Sequence, residues 1–340
     1  MSDSFSPILE RVSGGEVLDA NTSTRAFDEI MAGRVSEEQL AQFLTVLAQR
    51  KPTIAEITGS ARSMRAQMTT ITGSAYAIDL CGTGGDAHGT LNISTACAFV
   101  VAGAGVPVAK HGNRNMSSKS GTADVLEALG ARIDMTPEQA SACLRDTGIC
   151  FLFAQTYHPA MRHAAEVRKK LGFRTIFNLL GPLANPARVK RQLVGVYAKE
   201  WIEPLALVLR DLGTDKAWVV HGGDGMDELT TTDISHVAVL EAGKVSVREI
   251  SPRELGLHRA TLASLKGGLA DANAAAIKRL FEGEHGAYRD IVVLNSAAAL
   301  VVAGHAPDLK TGAAMAMTAL DKGAAKRTLE KFVAASQNAA

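Results

Sequence analysis

The chain has 340 residues, with 36 Lys and Arg against 35 Asp and Glu and a formal charge of +1. That near-neutral balance excludes a general field for nucleic acid or an anionic membrane, so any bound anion needs a local site. The length suits two domains, or one α/β domain with a helical addition. Cys81, Cys97, Cys143 and Cys150 form no C-x-x-C pair, which points to free thiols rather than disulfides or structural zinc. The first residues, MSDSFSPILERVSGGEV, lack the basic start and apolar run of a signal peptide. A cytoplasmic protein is the expectation, and no window reaches the length of a membrane span.

The first 70 residues predict helices throughout. Ser36 with Gln39 is a capping box that precedes Leu40, Phe43, Leu44 and Leu47 on one face. Thr53 with Glu56 repeats the device ahead of Ile57, Ala61, Met64 and Met68. From Ala75 the rhythm changes to strands alternating with helices, the pattern of a mostly parallel sheet with covered faces. AYAIDL, VPVAK (106–110), GICFLF, RQLVGVY and AWVVHGG read as strands. Helices are expected from Ser94 to Ala104, Thr122 to Leu129, Thr136 and Pro137 onward, His158 to Gly172, and Glu203 to Leu212. HVAVLEAGKVSVREI predicts a hairpin across Ala242 and Gly243, and three Ala-rich helices are expected to close the chain.

Three segments carry chemistry. CGTGGDAHGTLNIST (81–95) joins a strand to a helix, where Gly82, Gly84 and Gly85 let backbone approach a phosphate at a helix N-terminus. Glycines alone would make only a tight turn, but Thr83, Thr90, Asn92, Ser94 and Thr95 supply more polar groups than one cap requires. Neither the P-loop nor the dinucleotide fingerprint is present, and Asp86 suits a sugar hydroxyl or a metal better than a bare phosphate. The second loop, 110–121, gathers Lys110, His111, Arg114 and Lys119 with Ser117 and Ser118, and predicts a site for a second anionic group. The third segment, GGDGMDELTTTD, places Asp227 and Glu228 side by side as candidate magnesium ligands, with Asp224 and Asp233 as competitors.

GTGGD (82–86), NIST (92–95), KHGNR (110–114), SSKSGTADVLEALG (117–130), RTIFNLLGPLANP (174–186) and DEL (227–229) occur in this order. Together they resemble the anthranilate phosphoribosyltransferase family over essentially the whole chain. The resemblance implies a helical domain at 1–72, completed by helices near 158–186, and an α/β domain at 73–340. It also implies a homodimer formed through the helical part, with no nucleic-acid or membrane partner. Phosphoribosyl pyrophosphate is expected at Gly82, Gly85, Asp86, Thr90, Asn92, Ile93, Ser94, Thr95, Lys110, His111, Gly112, Asn113, Arg114, Asn115, Met116, Ser117, Ser118 and Thr122. Anthranilate is expected at Gly82, Asn113 and Arg168, and magnesium, two ions per monomer, at Ser94, Asp227 and Glu228. No residue is expected to act as a dedicated acid or base; Lys110, His111 and Arg168 would position substrates and stabilise the leaving group. Pro182 and its neighbours are expected to wall the aromatic ring. The competing readings are a pyrimidine nucleoside phosphorylase, for which paired carboxylates would be unnecessary, and a nucleic-acid-binding relative, which should be basic.

Overall fold

The computed structural model describes residues 4–86, 88–114 and 120–337. It begins with four helices, α1 (Ser6–Ser13), α2 (Ala20–Met31), α3 (Glu37–Arg50) and α4 (Ile54–Gln67). Both expected capping boxes form: Ser36 Oγ accepts from the Gln39 N–H while Gln39 Oε1 accepts from the Ser36 N–H, and Thr53 and Glu56 do the same. Glu56 also anchors the bundle. Its buried carboxylate accepts from Arg50 at 2.5 and 3.0 Å and from the Leu18 N–H at 3.0 Å, so burial leaves no lone charge.

The sheet unit opens with β1 (Ile78–Gly82), α5 (Ile93–Gly103), β2 (Val108–Gly112), α6 (Thr122–Ala128), α7 (Pro137–Thr147) and β3 (Ile149–Phe153). The chain continues through α8 (Ala154–Tyr157), α9 (Arg162–Leu171), α10 (Phe177–Leu180), β4 (Arg191–Gly195), α11 (Ile202–Asp211) and β5 (Lys216–Gly222). The hairpin β6 (Ser235–Glu241) and β7 (Lys244–Ile250) follows, then α12 (Ala270–Phe281), α13 (Ala287–Val302), α14 (Leu309–Asp321) and α15 (Ala324–Gln337). Four helices therefore close the chain where the composition suggested three. The break between the last two falls at Lys322 and Gly323, where Gly323 takes a φ of 67°.

The strand order is β3-β2-β1-β4-β5-β6-β7, with the first five parallel and the hairpin antiparallel. Period-two alternation sends the residues of β4 and β5 into two different cores. Leu193, Trp218 and Val220 pack among α5, α7 and α13, whereas Val194, Ala217 and Val219 pack on the opposite face with α11. That second core runs on without interruption into α1–α4 and takes in Ala164 and Val167 of α9 and Phe177 of α10. The order of strand addition reverses beside β1: β2 and β3 lie on one side of it and β4 on the other. A crevice at such a reversal, outside the carboxyl ends of the strands, is where open α/β sheets bind ligands. Among the described residues no helix is long and apolar enough to cross a membrane.

Candidate active site at the switch point

β1 and β4 end in register, with Gly82 opposite Gly195. The turn after β5 lies directly across this seam, and only glycines leave room for it. A Cβ on Gly195 would overlap the Asp227 carbonyl, and one on Gly82 would collide with the Asp227 carboxylate. The Gly84 N–H donates to Asp227 Oδ2 at 2.8 Å, joining the turn to the glycine-rich loop. From below, Asn295 of α13 pins the neighbouring backbone: its Oδ1 accepts from the Leu229 N–H at 3.0 Å and its Nδ2 donates to the Leu229 carbonyl at 2.8 Å.

The two competing acids are engaged elsewhere. Asp224 accepts from the Thr230 and Thr232 hydroxyls and shapes the turn, and Asp233 pairs with Arg259 at 3.3 Å. Asp227 and Glu228 remain, and they are short of positive charge. Withdrawal from water raises the pKa of both above the carboxylate range, and negative neighbours push further in the same direction, Asp86 on Asp227 and Asp227 on Glu228. Lys110 and the Ser94 N–H favour the Glu228 anion but do not offset the crowding. Hard oxygen donors lacking a counter-ion suit magnesium, which takes one or two carboxylates and fills its other positions with water and phosphate oxygens.

The glycine-rich loop is held from three sides. Gly85, at a φ of 81°, has its carbonyl bound by the guanidinium of Arg174, which stacks on Tyr197 at 4.4 Å. Thr90 bridges to Lys266, and the Leu91 N–H donates to Leu265. Asn92 stands at the N-cap of α5, but its side chain is used elsewhere: Oδ1 accepts from Asn273 at 2.7 Å and Nδ2 donates to Ser120 at 3.4 Å. The first turn of α5 therefore has no side-chain cap, and its amides and dipole face the crevice. Ile93 is buried and can offer a ligand only backbone. Thr95 Oγ1 meets Thr122 Oγ1 at 3.2 Å, so α5 and α6 present their N-termini together.

The second loop requires a correction. Among the described residues, its basic side chains do not form a cluster of free cations. Lys110 is buried beneath the first loop, donating to Leu80 O at 2.5 Å and Ser94 Oγ at 3.2 Å. His111, next in the strand, points to the other face. There its Nδ1 lies 3.2 Å from the Gly181 carbonyl and its ring 5.0 Å from that of His158. Burial lowers the pKa of His111 to about 3, so it is a neutral ring and not the positive charge expected of it. Arg114 pairs with Asp124 at 3.1 Å and Glu127 at 2.5 Å over the Phe153 ring. Gly112 packs on Phe151, and Asn113 accepts from the Arg114 N–H through its side chain. Asn115, Met116, Ser117, Ser118 and Lys119 lie outside the described residues.

On α9, Arg168 is half-buried with its guanidinium 5.2 Å from the Phe177 ring. Burial lowers its pKa, and it has no acidic partner among the described residues. A partly desolvated guanidinium without an acid is suited to a carboxylate. The GPLANP segment is tied down by buried polar contacts. Asn185 Nδ2 donates to buried Asp79 and to Ala109, both at 2.8 Å, and Gln192 donates to the Pro182 carbonyl at 2.7 Å. Asp79 in turn accepts from the His111 N–H at 3.1 Å, which ties the segment to β1 and β2.

Comparison with known proteins agrees with this geometry. Residues 74–326 match the model of the glycosyl transferase family α/β domain, and residues 6–68 match that family's helical bundle domain. An anthranilate phosphoribosyltransferase of Parvibaculum lavamentivorans is 56% identical over 98% of this chain and 97% of its own length. One from Azorhizobium caulinodans is 52% identical over 98% and 97%. The crystal structure of the Thermus thermophilus enzyme superposes with a TM-score of 0.91 at 42% identity, covering 97% of this chain and 99% of that one. The chain belongs to the anthranilate phosphoribosyltransferase family. The Saccharomyces cerevisiae enzyme in complex with phosphoribosyl pyrophosphate and Mg has the same fold, with a TM-score of 0.91 at 24% identity over 99% of both chains.

Proposed function

We propose that the chain transfers the 5-phosphoribosyl group of phosphoribosyl pyrophosphate to the amine of anthranilate, a step of tryptophan biosynthesis. The observation that carries this reading is the pair Asp227 and Glu228, crowded with too little positive charge beside the uncapped N-terminus of α5. Magnesium held by Asp227, Glu228 and Ser94, two ions per monomer, would neutralise charge on the pyrophosphate. The remaining contacts to the phosphoribosyl group fall to Gly82 through Thr95 and to the 110–122 loop, and those to anthranilate fall to Gly82, Asn113 and Arg168.

The C1–O bond to pyrophosphate breaks with its electron pair leaving on oxygen, and the amine nitrogen forms the new bond to C1 before losing a proton. An aromatic amine is unprotonated near neutral pH, so placement against C1 supplies much of the acceleration. Lys110 acts from beneath by supporting Ser94 and balancing Glu228. His111 braces Gly181 as a neutral ring. We assign residues 1–72 with the 158–186 helices to one domain and 73–340 to the other. Closure would hinge near residues 70 and 172–186. A cytoplasmic homodimer joined through the helical part completes the reading.

The test is anthranilate fluorescence in the presence of protein, magnesium and phosphoribosyl pyrophosphate. A loss of signal requiring both additions is expected; an unchanged signal with folded protein would sink the assignment.

A further inference from the structure

Beside the glycine-rich loop at Leu91, a cavity of about 360 Å³ lies between α12, the start of α13 and the strap at 264–268. Its lining is unevenly charged. Lys266, Arg279, His285 and Arg289 face it, with Glu284 as the acid, and that acid is already bound by Arg279 at 2.7 Å. α13, sixteen residues long, opens there from Gly286 with no side-chain cap. Arg289 is 5% exposed; its Nη2 donates to Asp321 at 2.5 Å, but its Nη1 has no partner among the described residues. A buried donor left unpaired carries a desolvation cost that an anion would remove. Leu91, Ala276 and Leu280 give the cavity an apolar side as well.

Three residues of this lining also hold the glycine-rich loop. Asn273 donates to Asn92 Oδ1 at 2.7 Å, the Tyr288 hydroxyl donates to the Asn92 carbonyl at 3.1 Å, and Lys266 Nζ donates to the His88 carbonyl at 2.8 Å. We propose that the cavity is a second site, for a small molecule bearing one phosphate or carboxylate on a short apolar body, and that its occupancy weakens phosphoribosyl pyrophosphate binding. The anion draws the Lys266 ammonium off the His88 carbonyl and so loosens the loop between Asp86 and Thr90. The coupling rests on the proposed role of that loop; the binding site does not.

Location is tested by anomalous diffraction from selenate-soaked crystals of the whole protein, with density expected against Arg289 and the first turn of α13. Calorimetry on protein saturated with magnesium and phosphoribosyl pyrophosphate then compares propyl phosphate with butyrate, and heat from one of them identifies the head group. Ala272, exposed at the mouth, tests specificity: Ala272→Glu is expected to weaken binding about tenfold by placing a like charge against the anion. The better probe should raise the KM for phosphoribosyl pyrophosphate about fivefold in the wild type, a usual size for coupling between sites, and far less in A272E. Absence of both selenate density and heat overturns the site. An equal rise in KM in both proteins overturns the coupling, and absent turnover with density in the cavity would instead count against the transferase reading.

Discussion

The two loops flanking the switch point treat charge in opposite ways. At the first, Asp86 is gathered with Asp227 and Glu228 of the turn after β5 with too little positive charge, and burial raises the pKa of that pair. At the second, the described basic residues are already committed: Lys110 to Leu80 and Ser94, Arg114 to Asp124 and Glu127, while His111 is neutral. A run of basic residues in sequence is therefore not a patch of available charge, and an adjacent acid pair can be the more strongly constrained feature. The site's unmet demand is for a cation under the loop and an anion at the helix N-termini.

The strongest disruption should come at the seam. Gly195→Ala places a methyl group on the Asp227 carbonyl and is expected to cost on the order of 3 kcal/mol in stability, read by urea denaturation, with activity lost. Next, Asp227→Asn should lower kcat/KM for phosphoribosyl pyrophosphate about 100-fold, the scale of one charge-stabilising group. It should leave the melting temperature unchanged or higher, because a crowded negative charge has gone. Asp224→Ala should do the reverse, losing about 2 kcal/mol of stability as two hydroxyls lose their acceptor. A melting curve that fell more for Asp227→Asn than for Asp224→Ala would remove the contrast.

Arg168→Ala should raise the KM for anthranilate about 30-fold with little change in kcat, as expected for one charge-assisted carboxylate contact. A smaller effect concerns the buried imidazoles, with pKa values lowered to about 3 for His111 and about 4 for His158, chiefly by burial. Below pH ~6.5 the unfolded chain takes up protons that these folded rings refuse, so stability is complete above that pH and declines as pH falls toward the folded values. Each ring contributes roughly 1.4 kcal/mol per pH unit in that window. His158→Asn should make the decline between pH 6 and 4.5 shallower, and an unaltered slope would mean that the ring titrates normally.

Much of the architecture was legible in the chain because it is written locally. The capping boxes at Ser36 and Thr53, the Thr136–Pro137 helix start and the Ala242–Gly243 turn each depend on residues a few positions apart. The glycine-rich loop and the acid pair were legible for the same reason. What sequence reasoning missed depends on distant partners. Arg174 serves Gly85, Asn185 serves Asp79, and Asn295 serves Leu229, pairs separated by 89, 106 and 66 positions. Arg174 carried one signal, standing just past the Gly172 helix stop in a segment rich in motif residues. Asn295 carried another, as a polar residue inside the most apolar window. Lys110 and His111 show a further limit: alternation in a strand sends them to opposite faces, but the fold decides which face is dry.

The most direct test of the account is calorimetric binding of phosphoribosyl pyrophosphate with and without magnesium, to the wild type and to the Asp227→Asn, Glu228→Gln double variant. Tight binding that requires magnesium in the wild type and loses that requirement in the variant is the predicted result. Equal affinity with and without the metal, or a variant that keeps the full magnesium dependence, would contradict the claim that these carboxylates are the cation site of the crevice.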